Sequence, residues 1–259
     1  MKVSQVAAQL FTLRNAIKTP QDIASSMKRV REIGYEAVQV SGMGPIAEEE
    51  LVKILDGEGL VCCATHEPTQ KILDEPEAIV DRLSKLNCRY TAVPSPGGVA
   101  VDTMDDVRSY IERMNHAGEV LAKADMVLTY HNHHIEFMRV DGKLILEMIY
   151  EQTDPRFIQG EIDTHWVQAG GGNPATWCTK LNGRLPLLHL KDYGVDNERN
   201  RIFEEIGYGN LHWDEIIPAA EKAGTEWYIV EQDGNWANDD PFESLKLSFE
   251  YIRDNLCEK

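Results

Sequence analysis

Tyr130-His131-Asn132-His133-His134-Ile135-Glu136-Phe137 decides how this chain is read. It follows Met126-Val127-Leu128-Thr129, a short apolar and β-branched run that predicts a strand. Three imidazoles and a carboxylate therefore fall where that strand ends. Three later strand-like runs also end in metal-capable side chains: Phe157 to Asp163, Leu185 to His189 and Trp227 to Glu231. Four such endings in chain order point to one site assembled from distant segments.

Working outward, the same strand–helix alternation continues to both termini. Val3 to Leu10, Glu36 to Ser41, Leu60 to Thr65 and Tyr90 to Val93 read as the four earlier strands, the third ending at His66. Thr19-Pro20, Asn173-Pro174 and Asp240-Pro241 pair a capping side chain with proline at the first helical position. Ile23, Met27, Val30 and Ile33 recur at helical spacing up to Gly34, and a long helix is expected over about residues 102–124. Residues 192–210 are polar and glycine-punctuated, which predicts an active-site loop. Eight alternations without a linker imply a parallel sheet closed into a single-domain (β/α)8 barrel over residues 1–259, about the usual length for that fold. The competing open doubly wound sheet would favour a G-x-G-x-x-G turn after the first strand, and none is present.

Composition narrows the partners. With 26 basic and 43 acidic residues the formal net charge is −17. Such a surface repels phosphate backbones and anionic membranes, so neither nucleic acid nor a membrane is an expected partner. No apolar run approaches the roughly 18 residues of a membrane helix, and the N-terminal segment lacks a signal peptide's apolar core. The five cysteines, with Cys62 and Cys63 adjacent and no C-x-x-C, suggest reduced thiols in a cytoplasmic protein. Homo-oligomerisation is compatible with this composition and left open by it.

Barrel enzymes carry their chemistry at the carboxyl ends of the strands, where Glu136, Asp163, His189 and Glu231 are expected. Taken singly, a strand-end acid is ordinarily a helix cap and a histidine a hydrogen-bonding core residue. Four together form a hard, oxygen-rich set suited to one divalent ion: Mn²⁺, Mg²⁺, Co²⁺ or Zn²⁺.

Tyr-His-Asn-His-x-x-Glu-Phe at 130–137, Asp163-Thr-x-Trp166 with its glycine-rich turn, Leu188-His189-Leu190-Lys191-Asp192 and Val230-Glu231 resemble the sugar phosphate isomerase/epimerase group. These are xylose-isomerase-like barrels that include ketose 3-epimerases and inosose dehydratases. Gln9-Leu10-Phe11-Thr12-Leu13-Arg14 extends the resemblance over nearly the whole chain. It implies one divalent metal held by Glu136, Asp163, His189 and Glu231, with Glu136 and Glu231 also moving protons. In the family's epimerases the first glutamate directly follows its strand; here His131 takes that place, leaving His131 or His133 as alternatives or supports.

The expected reaction is isomerisation or epimerisation of a sugar or keto-sugar, by removal of a proton next to a carbonyl. A dehydratase or lyase on a keto-sugar or keto-inositol shares that first step. A non-catalytic sugar-binding barrel is the reading from another class, as are the related three-zinc DNA-repair endonucleases, which the acidic charge disfavours. Around the ion, His66, His131 and His133 are expected to meet substrate hydroxyls. Lys191 would face a developing oxyanion, and Trp166 and Trp236 would wall a sugar ring. Gly170-Gly171-Gly172 fits turn chemistry better than a phosphate cradle.

Overall fold

All eight expected strands form in the computed structural model, which describes residues 1–258. They are β1 (Val6–Gln9), β2 (Ala37–Val40), β3 (Val61–His66), β4 (Tyr90–Val93), β5 (Val127–His131), β6 (Ile158–Asp163), β7 (Leu187–Leu190) and β8 (Trp227–Val230). Every barrel pair is parallel, and β1 closes against β8. Helices between the strands complete a single TIM barrel. Among the described residues no helix is long and apolar enough to cross a membrane.

Strand periodicity explains how short strands serve two cores. Val6, Val38, Leu128, Ile162, Leu188 and Val230 point outward and join the helices in the main hydrophobic core. Their neighbours Ala7, Ala37, Cys63, Leu187 and Ile229 belong to a separate, smaller apolar cluster. Two residues further along the same inward faces the side chains become polar. Gln9, Gln39, Thr65, Thr129, Glu161 and His189 are all fully buried there.

This polar layer departs from the branched apolar layers that usually fill such barrels. It is internally bonded: Gln9 donates to Gln39 at 2.6 Å, Gln39 to Glu161 at 2.9 Å and Thr129 to Glu161 at 2.9 Å. Buried polar groups with partners escape most of their desolvation cost.

The boundaries differ from expectation in physically readable ways. The expected first strand, Val3 to Leu10, is trimmed by 3-10 turns at Val3–Gln5 and Leu10–Leu13. The stretch expected as a loop over 192–210 contains an antiparallel hairpin, Asp192–Val195 with Arg201–Glu204. Unforeseen short helices at Thr69–Asp74 and Thr164–Ala169 follow β3, after Glu67 and Pro68, and β6.

Candidate metal centre

The carboxyl ends of β5 to β8 bring together His131, Asp163, His189 and Glu231. One ligand atom from each lies within 4.8 Å of all the others. The strand register accounts for this: Asp163 pairs with His189, which pairs with Ile229, two residues before Glu231 on the same face. All four are buried, Asp163 and His189 completely.

Glu136, expected as the first ligand, is not in this cluster, and the reason is strand parity. Strand β5 continues through His131, which faces the barrel axis, while its neighbour Tyr130 faces the outer core. Glu136 lies on a 3-10 turn, Ile135–Phe137, and folds back onto that outer side. Its carboxylate accepts from the Tyr130 hydroxyl and from the His133 amide, both at 2.8 Å. Burial pushes its pKa up. Glu136 thus clamps the histidine loop from outside the barrel, and His131 occupies the position it was expected to fill.

The donor set fits a divalent ion. The Pro94 carbonyl lies 3.0 Å from His131 Nδ1, which must therefore carry a proton, and Nε2 turns to Asp163 at 3.3 Å. His189 does the converse. Its Nε2 faces two acceptors, Glu161 Oε1 at 2.6 Å and Gln39 Oε1 at 2.7 Å, while Nδ1 turns to Glu231 at 3.0 Å. Each imidazole is held by one nitrogen and offers the other to the carboxylates, the usual pattern of metal-bound histidine. Asp163 Oδ1 caps the Thr164–Ala169 helix through the Trp166 amide at 3.0 Å, leaving Oδ2 free to face the centre.

Lys191 emerges on the same face as His189 and is almost fully buried. Its ammonium lies 3.1 Å from Glu231, 2.6 Å from Asp233 and 3.7 Å from Asp163. Burial opposes charge on all four groups, yet the attraction among them prevails for three. Lys191 is held protonated above its ordinary range, and Glu231 is held well below the usual carboxylate range by Lys191. Asp163 is brought down to about 2 by the same ammonium. Asp233 is pushed up by burial and by Glu231. Burial would lower His189, but the charge of Glu161 beside it raises the pKa to about 10. His133 is lowered to about 3, chiefly by burial.

A cavity of about 430 Å³ opens above these groups. His66, His131, His133, Lys191, Glu231 and Asp233 form its polar side. Phe11, Val40, Met43, Pro68 and Pro94 form an apolar side, and Arg82 with Glu67 lies at the margin. His66, His133 and Lys191 thus stand on the cavity wall. Trp166 packs behind it, 5.1 Å from the His133 ring and 5.3 Å from the Lys191 ammonium. Trp236 lies outside the lining, beneath Arg14 at 5.5 Å and donating to the Gln232 carbonyl. The triple glycine is no cradle: a Cβ on Gly170 would meet Phe137 Cγ at 2.3 Å, so close packing requires glycine there.

Glu161, Gln39 and Asp233 receive no site role from the sequence, although Glu161 reads on the same strand face as Asp163. Two carried a readable signal, since Glu161 precedes Asp163 by two and Asp233 follows Glu231 by two. Period-2 spacing puts each on the ligand face while the strand geometry lasts.

The family model for the xylose isomerase-like TIM barrel matches residues 27–254. An inosose dehydratase from Geobacillus thermodenitrificans is 22% identical over 257 residues, covering 85% of each chain. A crystal structure of a sugar phosphate isomerase/epimerase from Parabacteroides distasonis superposes with a TM-score of 0.83 at 23% identity, over 98% of this chain and 95% of that one. A xylose isomerase-like TIM barrel protein from Mycobacterium smegmatis, solved in complex with magnesium, gives a TM-score of 0.76 at 14% identity, over 98% and 97% of the two chains.

Proposed function

The chain belongs to the xylose isomerase-like TIM barrel family, and from that premise we propose that it is a divalent-metal-dependent dehydratase of uncharged keto-sugars or keto-polyols. The observation that carries this is the Glu231–Lys191 pair, 3.1 Å apart at the edge of the His131–Asp163–His189–Glu231 cluster. A divalent ion bound by these four would polarise the substrate carbonyl and lower the cost of the carbanion beside it. The magnesium-bound relative and the dehydratase relative support the same reading.

Glu231 is ionised and takes the proton from the carbon next to the carbonyl. Lys191 is protonated and beside it, so it can donate to the β-oxygen on the same face. The C–H and C–O bonds break, a C=C bond forms, and water leaves with no net change of oxidation state. Epimerisation through two glutamates needs a second carboxylate across the substrate. Glu136 was the residue for that role, and it lies behind the barrel wall.

The charge pattern argues for a substrate without phosphate. Lys191 is matched by Glu231 and Asp233, and Arg82 by Glu48 at 2.5 Å and Glu67 at 2.7 Å. Neither cation on the cavity wall is left to neutralise a phosphate dianion. Asp233 Oδ1 and His133 Nδ1 are buried without partners among the described residues, which suits the hydroxyl groups of a polyol.

An isomerase or epimerase is the second reading. His133 favours it, because the unpartnered nitrogen of a neutral imidazole could accept a proton from one substrate atom and pass it to another. Incubation of the metal-loaded protein with neutral ketoses and keto-inositols in D₂O separates the two. Dehydration gives a product lighter by one water, and isomerisation gives one of unchanged composition with deuterium at carbon. Glu231→Gln should slow either reaction by about 10²–10⁴-fold. A sugar that binds but undergoes neither exchange nor turnover would leave a binding protein.

A further inference from the structure

Beneath the metal cluster, Glu161 is completely buried on β6, two residues before the ligand Asp163. Its Oε1 lies 2.7 Å from His66 Nε2, 2.6 Å from His189 Nε2 and 2.9 Å from Gln39 Nε2, while Oε2 accepts from Thr129 at 2.9 Å. The His66 and His189 rings stack at 5.3 Å with planes only 4° apart, both presenting the same edge to one oxygen. Nothing else in the proposed chemistry uses this carboxylate.

We propose that Glu161 is the positioning residue of the centre, setting which nitrogen carries the proton on both His189 and His66. The proposal rests on the metal reading above. Gln39 donates to Oε1 and Thr129 to Oε2, so both oxygens stand as acceptors and the two Nε2 atoms facing Oε1 must bear hydrogen. That leaves Nδ1 of His189 as the atom offered to the ion, toward Asp163 and Glu231. It also leaves Nδ1 of His66, which has no partner among the described residues and sits on a cavity-lining residue, as an acceptor for a substrate hydroxyl.

One buried charge thereby orients a metal ligand and a substrate contact together. Gln39 locks the arrangement. Its Oε1 accepts from Gln9 at 2.6 Å and lies 2.7 Å from His189 Nε2, while its amide nitrogen donates to Glu161. A rotated Gln39 would set donor against donor at both Gln9 and His189.

The test uses ¹⁵N-histidine-labelled full-length protein loaded with Zn²⁺, which is diamagnetic and suits this donor set. Nitrogen chemical shifts should report Nε2–H on both His66 and His189. Zinc titration against a chromophoric chelator should then show Glu161→Gln binding tenfold to a hundredfold more weakly, the usual effect of losing a ligand's supporting carboxylate. In that variant His66, which is not a ligand, should lose its single tautomer. A merely structural role for Glu161 would lower the melting temperature and leave zinc affinity and the His66 tautomer unchanged. That result overturns the proposal, as does Nδ1–H on either ring in the wild type, a readout that stands even if the variant fails to fold. Wild-type protein that takes up no zinc would instead bring down the metal reading itself.

Discussion

At the scale of single residues, His131 turns toward the candidate ligands Asp163, His189 and Glu231, while Glu136, expected as the first ligand, turns to the Tyr130 hydroxyl and the His133 amide. His131 and Glu136 sit in one eight-residue stretch, and the chemistry of either side chain would serve a metal. Strand parity separates them, and parity was not legible because the strand end could be placed anywhere from Thr129 to His131. The reassignment has a measurable consequence. Glu136→Ala leaves the Tyr130 hydroxyl and the His133 amide without their buried acceptor, at a cost of about 1–3 kcal/mol for each unsatisfied group. Urea denaturation should register that loss, while metal stoichiometry stays at the wild-type value. The pH dependence has a definite sign. Burial raises the Glu136 carboxyl in the folded state, so its contribution to stability is largest below its ordinary pKa and declines as pH rises through the folded value. Glu136→Gln should therefore lose less stability relative to wild type at pH 8 than at pH 4, and a gap that widens with pH would contradict the assignment.

At the scale of elements, the strands were legible because alternation, caps and prolines all agreed, as at Thr19-Pro20 and Asn173-Pro174. The hairpin over 192–204 was not, because no apolar alternation marks it. What organises it is Asp192, a fully buried carboxylate directly after Lys191. It accepts from the amides of Gly207, Gly209 and Leu211 and from the Trp213 indole, at 2.9 to 3.3 Å. Hydrogen bonds to a charged group are worth about 1.5–3 kcal/mol each and are not additive. Asp192→Ala should therefore cost at least about 3 kcal/mol in chemical denaturation. It should also open the exposed turn at 196–200 to limited proteolysis. Metal content should be retained, since Asp192 bonds none of the four candidate ligands; loss of the ion would tie this hairpin to the centre more tightly than its contacts indicate.

At the scale of the whole molecule, a barrel is the architecture that lets residues 131, 163, 189 and 231 meet. The repeat of strand and helix made that closure readable, and the ends of β6, β7 and β8 were readable with it. The rest of the polar layer, Gln9, Gln39 and Thr129, was not, because isolated polar residues within short strands look like solvent-facing positions until closure buries them. That layer holds the histidines in register beneath the centre, so the ligand set is the claim on which the rest depends. It is tested most directly by a crystal structure of protein grown with Mn²⁺, with anomalous differences locating the ion. The expected result is one peak per chain at roughly 2.0–2.3 Å from His131 Nε2, Asp163 Oδ2, His189 Nδ1 and a Glu231 carboxylate oxygen. A peak bound by Glu136 with His131 turned away, or no peak among these four residues, would contradict it.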